Sequence, residues 1–454
     1  MVDKVKTIYV CQQCGQSAPR WLGQCAGCEA WGSLVEEVVA SAKPRGRMPV
    51  KGGASARLAD VRAGQSIRRS TGLGELDRVL GGGLVQGSVV LIGGDPGIGK
   101  STLALQACGS LARAGCRVLY VAGEESPEQI RMRADRLGLG AADIVILPET
   151  ATEVIVAEIE RLRPDAAVID SIQTLHTAQL ASAPGSVAQV RESASLLVGH
   201  CKAGGTACFV IGHVTKEGAL AGPRVLEHLV DTVLYFQGDD THALRVLRAV
   251  KNRFGSTNEV GVFEMRENGL VEVANPSAAF LAERPTDAPG SAVLATLEGS
   301  RPVLVEIQAL VSRSALAMPR RTTIGVDAGR VALLLAVLEK RLGMRLYDQD
   351  VFLNVAGGLA IDEPAADLAV VAAVASSVQG RPLPPDVALW GEVGLTGEVR
   401  GVARAEVRLR EAVREGYPRC IVPASNVQGL ARVEGAQPVG VRTLAELLDV
   451  LALT

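Results

Sequence analysis

Residues 88–101 read SVVLIGGDPGIGKS, and they decide the fold. A short run of β-branched and aliphatic residues (88–93) reads as a buried strand, and Gly94–Ser101 follows it with the spacing G-x4-G-K-[ST]. Glycines at 94, 97 and 99 let backbone N–H groups turn inward around phosphate oxygens, and a helix opening at Lys100-Ser101-Thr102 adds the favourable end of its dipole. Gly94, Asp95, Pro96, Gly97, Ile98, Gly99, Lys100, Ser101 and Thr102 therefore form a candidate nucleotide cradle. Lys100 would reach the β/γ-phosphates of ATP or ADP, and Ser101 would ligate Mg2+.

Outward from this stretch the chain alternates. Strand patterns at 117–122, 143–147, 166–170 and 206–214 are separated by helical patterns at 101–115, 127–138, 153–163 and 187–203. Alternation of short apolar strands with helices predicts an α/β fold with a parallel sheet. From Thr232 strands dominate, predicting antiparallel hairpins at one edge. The strand at 166–170 (AAVID) ends in an acid, and Asp170 is the candidate second holder of Mg2+. Glu124 and Glu125 end the strand at 117–122, the one after the P-loop helix. One of them is expected to orient or deprotonate the attacking water, Glu124 foremost; their other use is to cap the helix that starts at Ser126-Pro127.

A second strong pattern precedes all this. Cys11-x2-Cys14 and Cys25-x2-Cys28 are two knuckles whose four thiolates close a tetrahedral shell around Zn2+, which makes the site structural. The other five of nine cysteines are scattered, so the pattern fits a metal site in a reducing, cytoplasmic setting and not a disulfide framework.

The 454 residues are 48% hydrophobic and 21% charged, which excludes wholesale disorder; the net charge of −2 excludes a global basic footprint. The longest apolar run, Val331–Leu338, is far below the ~18 residues of a membrane span. The segment 40–70 carries Lys43, Arg45, Arg47, Lys51, Arg57, Arg62, Arg68 and Arg69 against one acid, Asp60, and reads as a basic linker. The expected organisation is a four-cysteine zinc finger (1–37), a basic linker (38–70), a RecA-like P-loop ATPase core (71–274), a second linker (275–299) whose stretch Asn275–Ser291 holds four prolines or glycines among polar residues, and a mixed α/β domain (300–454).

Thr71-Gly-Leu-Gly-Glu-Leu-Asp77, Leu80-Gly-Gly-Gly-Leu84 and the P-loop together resemble a RecA-like core. With the cysteine knuckles and Lys251-Asn-Arg-Phe-Gly255 (KNRFG), the whole chain resembles the RadA (Sms) family of bacterial recombination and repair ATPases. The resemblance implies a DNA-stimulated ATPase that forms homo-oligomeric rings (hexamers), drives branch migration on single-stranded and branched DNA, and works beside the RecA recombinase. It implies roles near the nucleotide, across a subunit interface, for Lys251 and Arg253, and a γ-phosphate sensor at His213. DNA-contacting loops would be His176–Ser186 and Thr215–Arg224, the second offering Lys216 and Arg224 to phosphates. Neither loop carries an aromatic platform for bases. The last third resembles the Lon-protease C-terminal domain, but Asp362-Glu-Pro-Ala-Ala-Asp367 places Ala365 at the nucleophile's position, and Glu406 stands at that of the lysine. A Ser–Lys dyad needs a hydroxyl and an amine, so a proteolytically inactive scaffold is expected. Two rival readings are an ATP-dependent protease, which Ala365 and Glu406 oppose, and a nucleotide-gated zinc adaptor that recruits repair factors.

Overall fold

The computed structural model describes residues 6–11, 16–39, 68–180, 182–212, 226–238, 243–257, 259–315 and 318–453. Cys14, His213, Lys216 and Arg224 lie outside these, as does the basic linker up to residue 67. The chain divides into two compact units, one of residues 1–237 with 245–272 and one of 238–244 with 273–454.

The first unit begins with a small ribbon in which β1 (Lys6–Cys11) pairs antiparallel with both β2 (Ser17–Ala18) and β3 (Leu34–Val39). A two-stranded ladder of β4 (Arg68–Arg69) and β5 (Leu84–Val85) leads into the core. The central strands are β6 (Val89–Gly94), β7 (Val118–Ala122), β8 (Ile144–Leu147), β9 (Ala166–Asp170), β10 (Ala207–Ile211) and β11 (Thr232–Gln237). β12 (Leu244–Asn252), β13 (Val260–Arg266) and β14 (Gly269–Glu272) complete a nine-stranded sheet in the order β14-β13-β12-β11-β6-β10-β9-β7-β8. β11 differs from expectation. It pairs parallel with β6, Thr232 opposite Val90 and Phe236 opposite Gly94, and the antiparallel edge starts only with β12. A strand pattern in sequence carries no record of which neighbour it meets.

Alternate residues feed opposite faces, as strand geometry requires. Val90 and Ile92 of β6 join one core with Leu103, Leu105 and Leu111 of α2 (Lys100–Arg113). Val89 and Leu91 join the other, with Ile155 and Ile159 of α4 (Thr152–Leu162) and Val190 and Leu197 of α5 (Val187–Gly204). Two helices bracket this sheet elsewhere: α1 (Gly74–Leu80), and α3 (Pro127–Arg136), whose N-terminus Ser126 and Gln129 close in a reciprocal capping box.

The second unit corrects one expectation. Residues 275–299 are not a linker. They form α6 (Pro276–Leu281) and the almost fully buried β15 (Ser291–Glu298), which pairs with β16 (Arg301–Arg313) inside a seven-stranded mixed sheet. Pro276 opens α6, Pro285, Pro289 and Gly290 lie in the turn before β15, and the apolar run after them is what the core uses. The helices include α7 (Ala328–Leu342), α8 (Asp367–Gln379) and α9 (Ala405–Arg414).

An ion pair between the buried Arg408 and the half-buried Glu363 ties this unit together. Arg408 of α9 is 1% exposed and donates through Nη1 and Nη2 to Glu363 at 2.7 and 2.6 Å, and to the Ala295 carbonyl at 2.7 Å. Burial pushes the Glu363 carboxyl up, but Arg408, Thr296 and the Leu297 N–H outweigh it and hold the group below the usual carboxylate range. Arg408→Ala leaves that carboxylate without its counter-charge. It should lower the unfolding free energy of this unit by about 3–5 kcal/mol, read from denaturant unfolding of the full chain. The lowered Glu363 value also sets a sign: its contribution is complete above the ordinary carboxyl range and is lost as pH falls through the depressed folded value.

Candidate nucleotide site and metal centre

β6 delivers the loop at the end of the parallel strands. Gly94 has φ +150°, and a Cβ there would sit 2.7 Å from the Phe236 carbonyl oxygen of β11; Gly99 has φ +115°, and its Cβ would meet Met265 at 2.7 Å. Both positions need glycine on conformational and on steric grounds. At Gly97 nothing lies within 4 Å of a Cβ, so the crest of the loop is open. Lys100 is only 4% exposed, and its Nζ donates to the carbonyls of Gly94 and Asp95 at 2.8 Å each. Burial lowers its pKa, while the carboxylates of Asp170, Asp95 and Glu124 pull the other way. These three acids thus face the same ammonium group.

Asp170, at the end of β9, is buried and accepts from the Tyr120 hydroxyl at 2.5 Å through Oδ2. Burial and then the Asp170 charge push the Tyr120 phenol well above its ordinary value, so it remains a proton donor to that carboxylate. The Oδ1 of Asp170 makes no hydrogen bond among the described residues. With the half-buried Ser101 in the first turn of α2, this oxygen supplies the hard donor set that Mg2+ prefers. The Gly123 N–H donates to the Asp170 carbonyl at 2.7 Å and locks the end of β7 to that of β9.

The adjacent glutamates part company. Ser171 Oγ donates to Glu124 Oε1, beside the Lys100 and Asp170 cluster. Glu125 forms an ion pair with Arg133 of α3 instead. Tyr120, Ser171 and Arg133 were not legible as site residues. In sequence Tyr120 is one more apolar strand position, and only pairing of β7 with β9 sets it over Asp170.

The KNRFG turn lies elsewhere. Arg253 Nη1 donates to Asp231 at 3.0 Å, and the same buried carboxylate accepts from Lys202 Nζ at 2.9 Å and from the Val89 N–H at 3.1 Å. Lys251 Nζ donates to the carbonyls of Glu227 and Val230 at 2.5 and 2.9 Å, and burial followed by the nearby Arg253 charge lowers its pKa. Val89 begins β6 and Gly94 ends it, so these cations sit about five strand residues, roughly 17 Å, from their own P-loop. Within one chain Lys251 and Arg253 do not join Lys100. Gly81, with φ +83°, lets the turn dock on α1: its Cβ would meet Gly255 Cα at 2.8 Å.

The candidate DNA loop at 176–186 is braced by Gln189 of α5. The Gln189 amide donates to the carbonyls of Leu180 and Ser182 at 3.1 and 2.9 Å, and its oxygen accepts from the Thr177 N–H at 2.8 Å.

In the ribbon, the thiols of Cys11, Cys25 and Cys28 all lie within 4.8 Å of one another. Cys11 and Cys28 are 3.6 Å apart, close to the ~3.8 Å that two ligands on one tetrahedral zinc would show at ~2.3 Å Zn–S bonds. The Gly27 N–H donates to Cys25 Sγ at 3.3 Å. The residues fit a zinc site, with the fourth knuckle position, Cys14, outside the described residues.

In the second unit, Ala365 is 1% exposed and offers no hydroxyl, and Glu406 pairs with Arg410 on the surface of α9. Neighbouring serines are committed: Ser376 Oγ accepts from the Gly290 N–H at 2.8 Å and donates to the Arg381 carbonyl at 2.6 Å, and Ser377 Oγ accepts from the Val311 N–H at 2.9 Å.

Family models match three segments: a KaiC ATPase model over residues 69–146, a rubredoxin metal-binding domain over 9–36, and the C-terminal proteolytic domain of Lon protease (S16) over 338–451. Among curated relatives, the DNA repair protein RadA of Pseudomonas aeruginosa is 55% identical over 451 residues, covering 99% of both chains. The RadA of Bacillus subtilis is 50% identical over 450 residues, covering 98% of both, and that of Streptococcus pyogenes serotype M1 is 50% identical over 448 residues, covering 98% of this chain and 99% of the other.

Proposed function

Because the chain belongs to the RadA family of DNA repair proteins, we propose that it is a DNA-stimulated ATPase whose hydrolysis drives branch migration of recombination intermediates. The family and its three matched segments make it a DNA repair ATPase with a zinc ribbon and a Lon-like C-terminal domain. The observation that carries the chemistry is the placement of Lys100, Asp170 and Glu124 at the ends of β6, β9 and β7, with Ser171, next to Asp170, donating to Glu124 and Lys100 resting on the P-loop carbonyls.

ATP is the substrate. The P-loop N–H groups and Lys100 bind its phosphates, and Lys100 offsets the charge that spreads over the transferring phosphoryl group. Ser101 and Asp170 would hold Mg2+, which would supply positive charge to offset that of the phosphates. Glu124 orients the attacking water, and Ser171 fixes its carboxylate; Glu125 is held away by Arg133. No lysine or arginine of the described KNRFG turn reaches its own P-loop, which supports action on the nucleotide of a neighbouring subunit in a ring. Single-stranded and branched DNA are the proposed partners, with RecA acting beside them. The C-terminal unit serves as a scaffold without proteolysis, a reading supported by Ala365 and Glu406.

The trans role has a direct check. Arg253→Ala should bind nucleotide like the wild type yet lose branched-DNA processing. Mixed with wild-type protein, it should depress turnover more than in proportion to its share, since each variant subunit disables a neighbour. A strictly proportional fall, with a lowered melting temperature, would mean that Arg253 only secures Asp231.

A further inference from the structure

The zinc ribbon carries two large apolar side chains in water. Trp21 is 58% and Trp31 76% exposed, whereas the third tryptophan, Trp390, is 0% exposed in the second unit. In a chain with only 3% aromatic residues, this placement is a local choice. The ribbon does not need either ring for its own core, which consists of Cys11, Cys25 and Leu34 backed by Tyr9, Ala18 and Leu22.

Local hydrogen bonding brings the rings together. The Gly32 N–H donates to the Gly23 carbonyl at 2.8 Å, the Cys25 N–H to the Ala30 carbonyl at 2.9 Å, and Gln24 bridges antiparallel to Trp31. In this small hairpin a Cβ on Gly23 would lie 3.6 Å from Cζ3 of Trp31 and 3.9 Å from Cη2 of Trp21. The six-membered rings of both tryptophans therefore border one spot, where glycine leaves no side chain of its own. Among the described residues neither ring stacks on another aromatic ring or lies under a cation.

We propose that Trp21 and Trp31 form a stacking platform for unpaired bases, and that through it the ribbon binds single-stranded DNA. Every base has an apolar π-face, so stacking suits a repair enzyme that meets arbitrary sequence. The ribbon's charge argues against a duplex. Among the described ribbon residues the charges marked exposed are Arg20, Glu29 and Glu36, which make no cationic excess, and a duplex hides its base faces. The polyanion is attracted instead by the sequence that follows β3, where Lys43, Arg45, Arg47, Lys51, Arg57 and Arg62 face a single acid, Asp60. The platform deepens the DNA-processing reading above and rests on it.

Full-length, zinc-loaded protein titrated with oligothymidylate provides the test. Trp390 is fully buried, so quenching of the long-wavelength tryptophan emission reports Trp21 and Trp31. The expected result is quenching that saturates with binding. Trp21→Ala and Trp31→Ala should each weaken affinity by about five- to 150-fold, with zinc content unchanged, and Trp31→Phe should retain most of it. Oligonucleotide binding seen by anisotropy without quenching, or alanine variants of unchanged affinity, would overturn the platform while leaving DNA binding intact; the pair would then belong to a protein-binding surface. If wild-type protein bound no DNA at all, the functional reading itself would fall with it.

Discussion

Replacing Lys100 with alanine is expected to cut ATP turnover by about 10²–10³-fold or more, the loss typical of a single preorganised group that stabilises transition-state charge. In the free protein Lys100 is a desolvated cation resting on two carbonyls, with Asp170, Asp95 and Glu124 nearby. Its removal relieves a buried charge while deleting two hydrogen bonds, so the unfolding midpoint should stay close to that of the wild type. Turnover measured beside thermal unfolding separates the two effects. A Lys100→Ala protein that hydrolyses ATP at the normal rate would remove the P-loop from the mechanism.

The second large effect concerns zinc. Cys11→Ser or Cys25→Ser should release about one zinc per chain and unfold the ribbon, because so few buried side chains cannot hold a ~25-residue segment. Apparent zinc-binding free energies of about 10–16 kcal/mol show how much of such a segment's folding the metal supplies. Basal turnover should persist, since no ribbon side chain touches Lys100, Asp170 or Glu124 among the described residues. Elemental analysis and a thermal scan with chelator are sufficient measurements. Native protein without bound zinc would reject the site.

Much of the candidate nucleotide site was legible because its residues are local. Gly94 to Thr102 are contiguous, and their spacing dictates both the turn and the helix start. Asp170 was legible because an acid after an apolar strand downstream of such a loop has few other uses. What completes the site was not. Tyr120 and Ser171 reach Asp170 and Glu124 through the pairing of β7 with β9, and strand order leaves no local trace. The same blindness hid the position of Lys251 and Arg253. Only the register of β11 against β6 and β12 reveals that they lie at the far end of the sheet from Gly94. The buried strand at 291–298 was missed for another reason: clustered proline and glycine mark turns, and turns flank strands as readily as they fill linkers. The aromatic platform escaped because Trp21 and Trp31 follow neither helical nor strand periodicity and meet only through the bonds of a short hairpin.

In the proposed function Lys100, Asp170 and Glu124 together hydrolyse ATP in the service of DNA processing. The most direct measurement is ATP turnover by the full-length, zinc-loaded protein with and without single-stranded DNA, run alongside Lys100→Ala. The predicted result is Mg2+-dependent turnover that rises on addition of DNA and is lost in the variant under both conditions. Turnover that ignores DNA while branched substrates stay unprocessed would contradict the motor and leave a nucleotide-gated adaptor; turnover that survives Lys100→Ala would contradict the site.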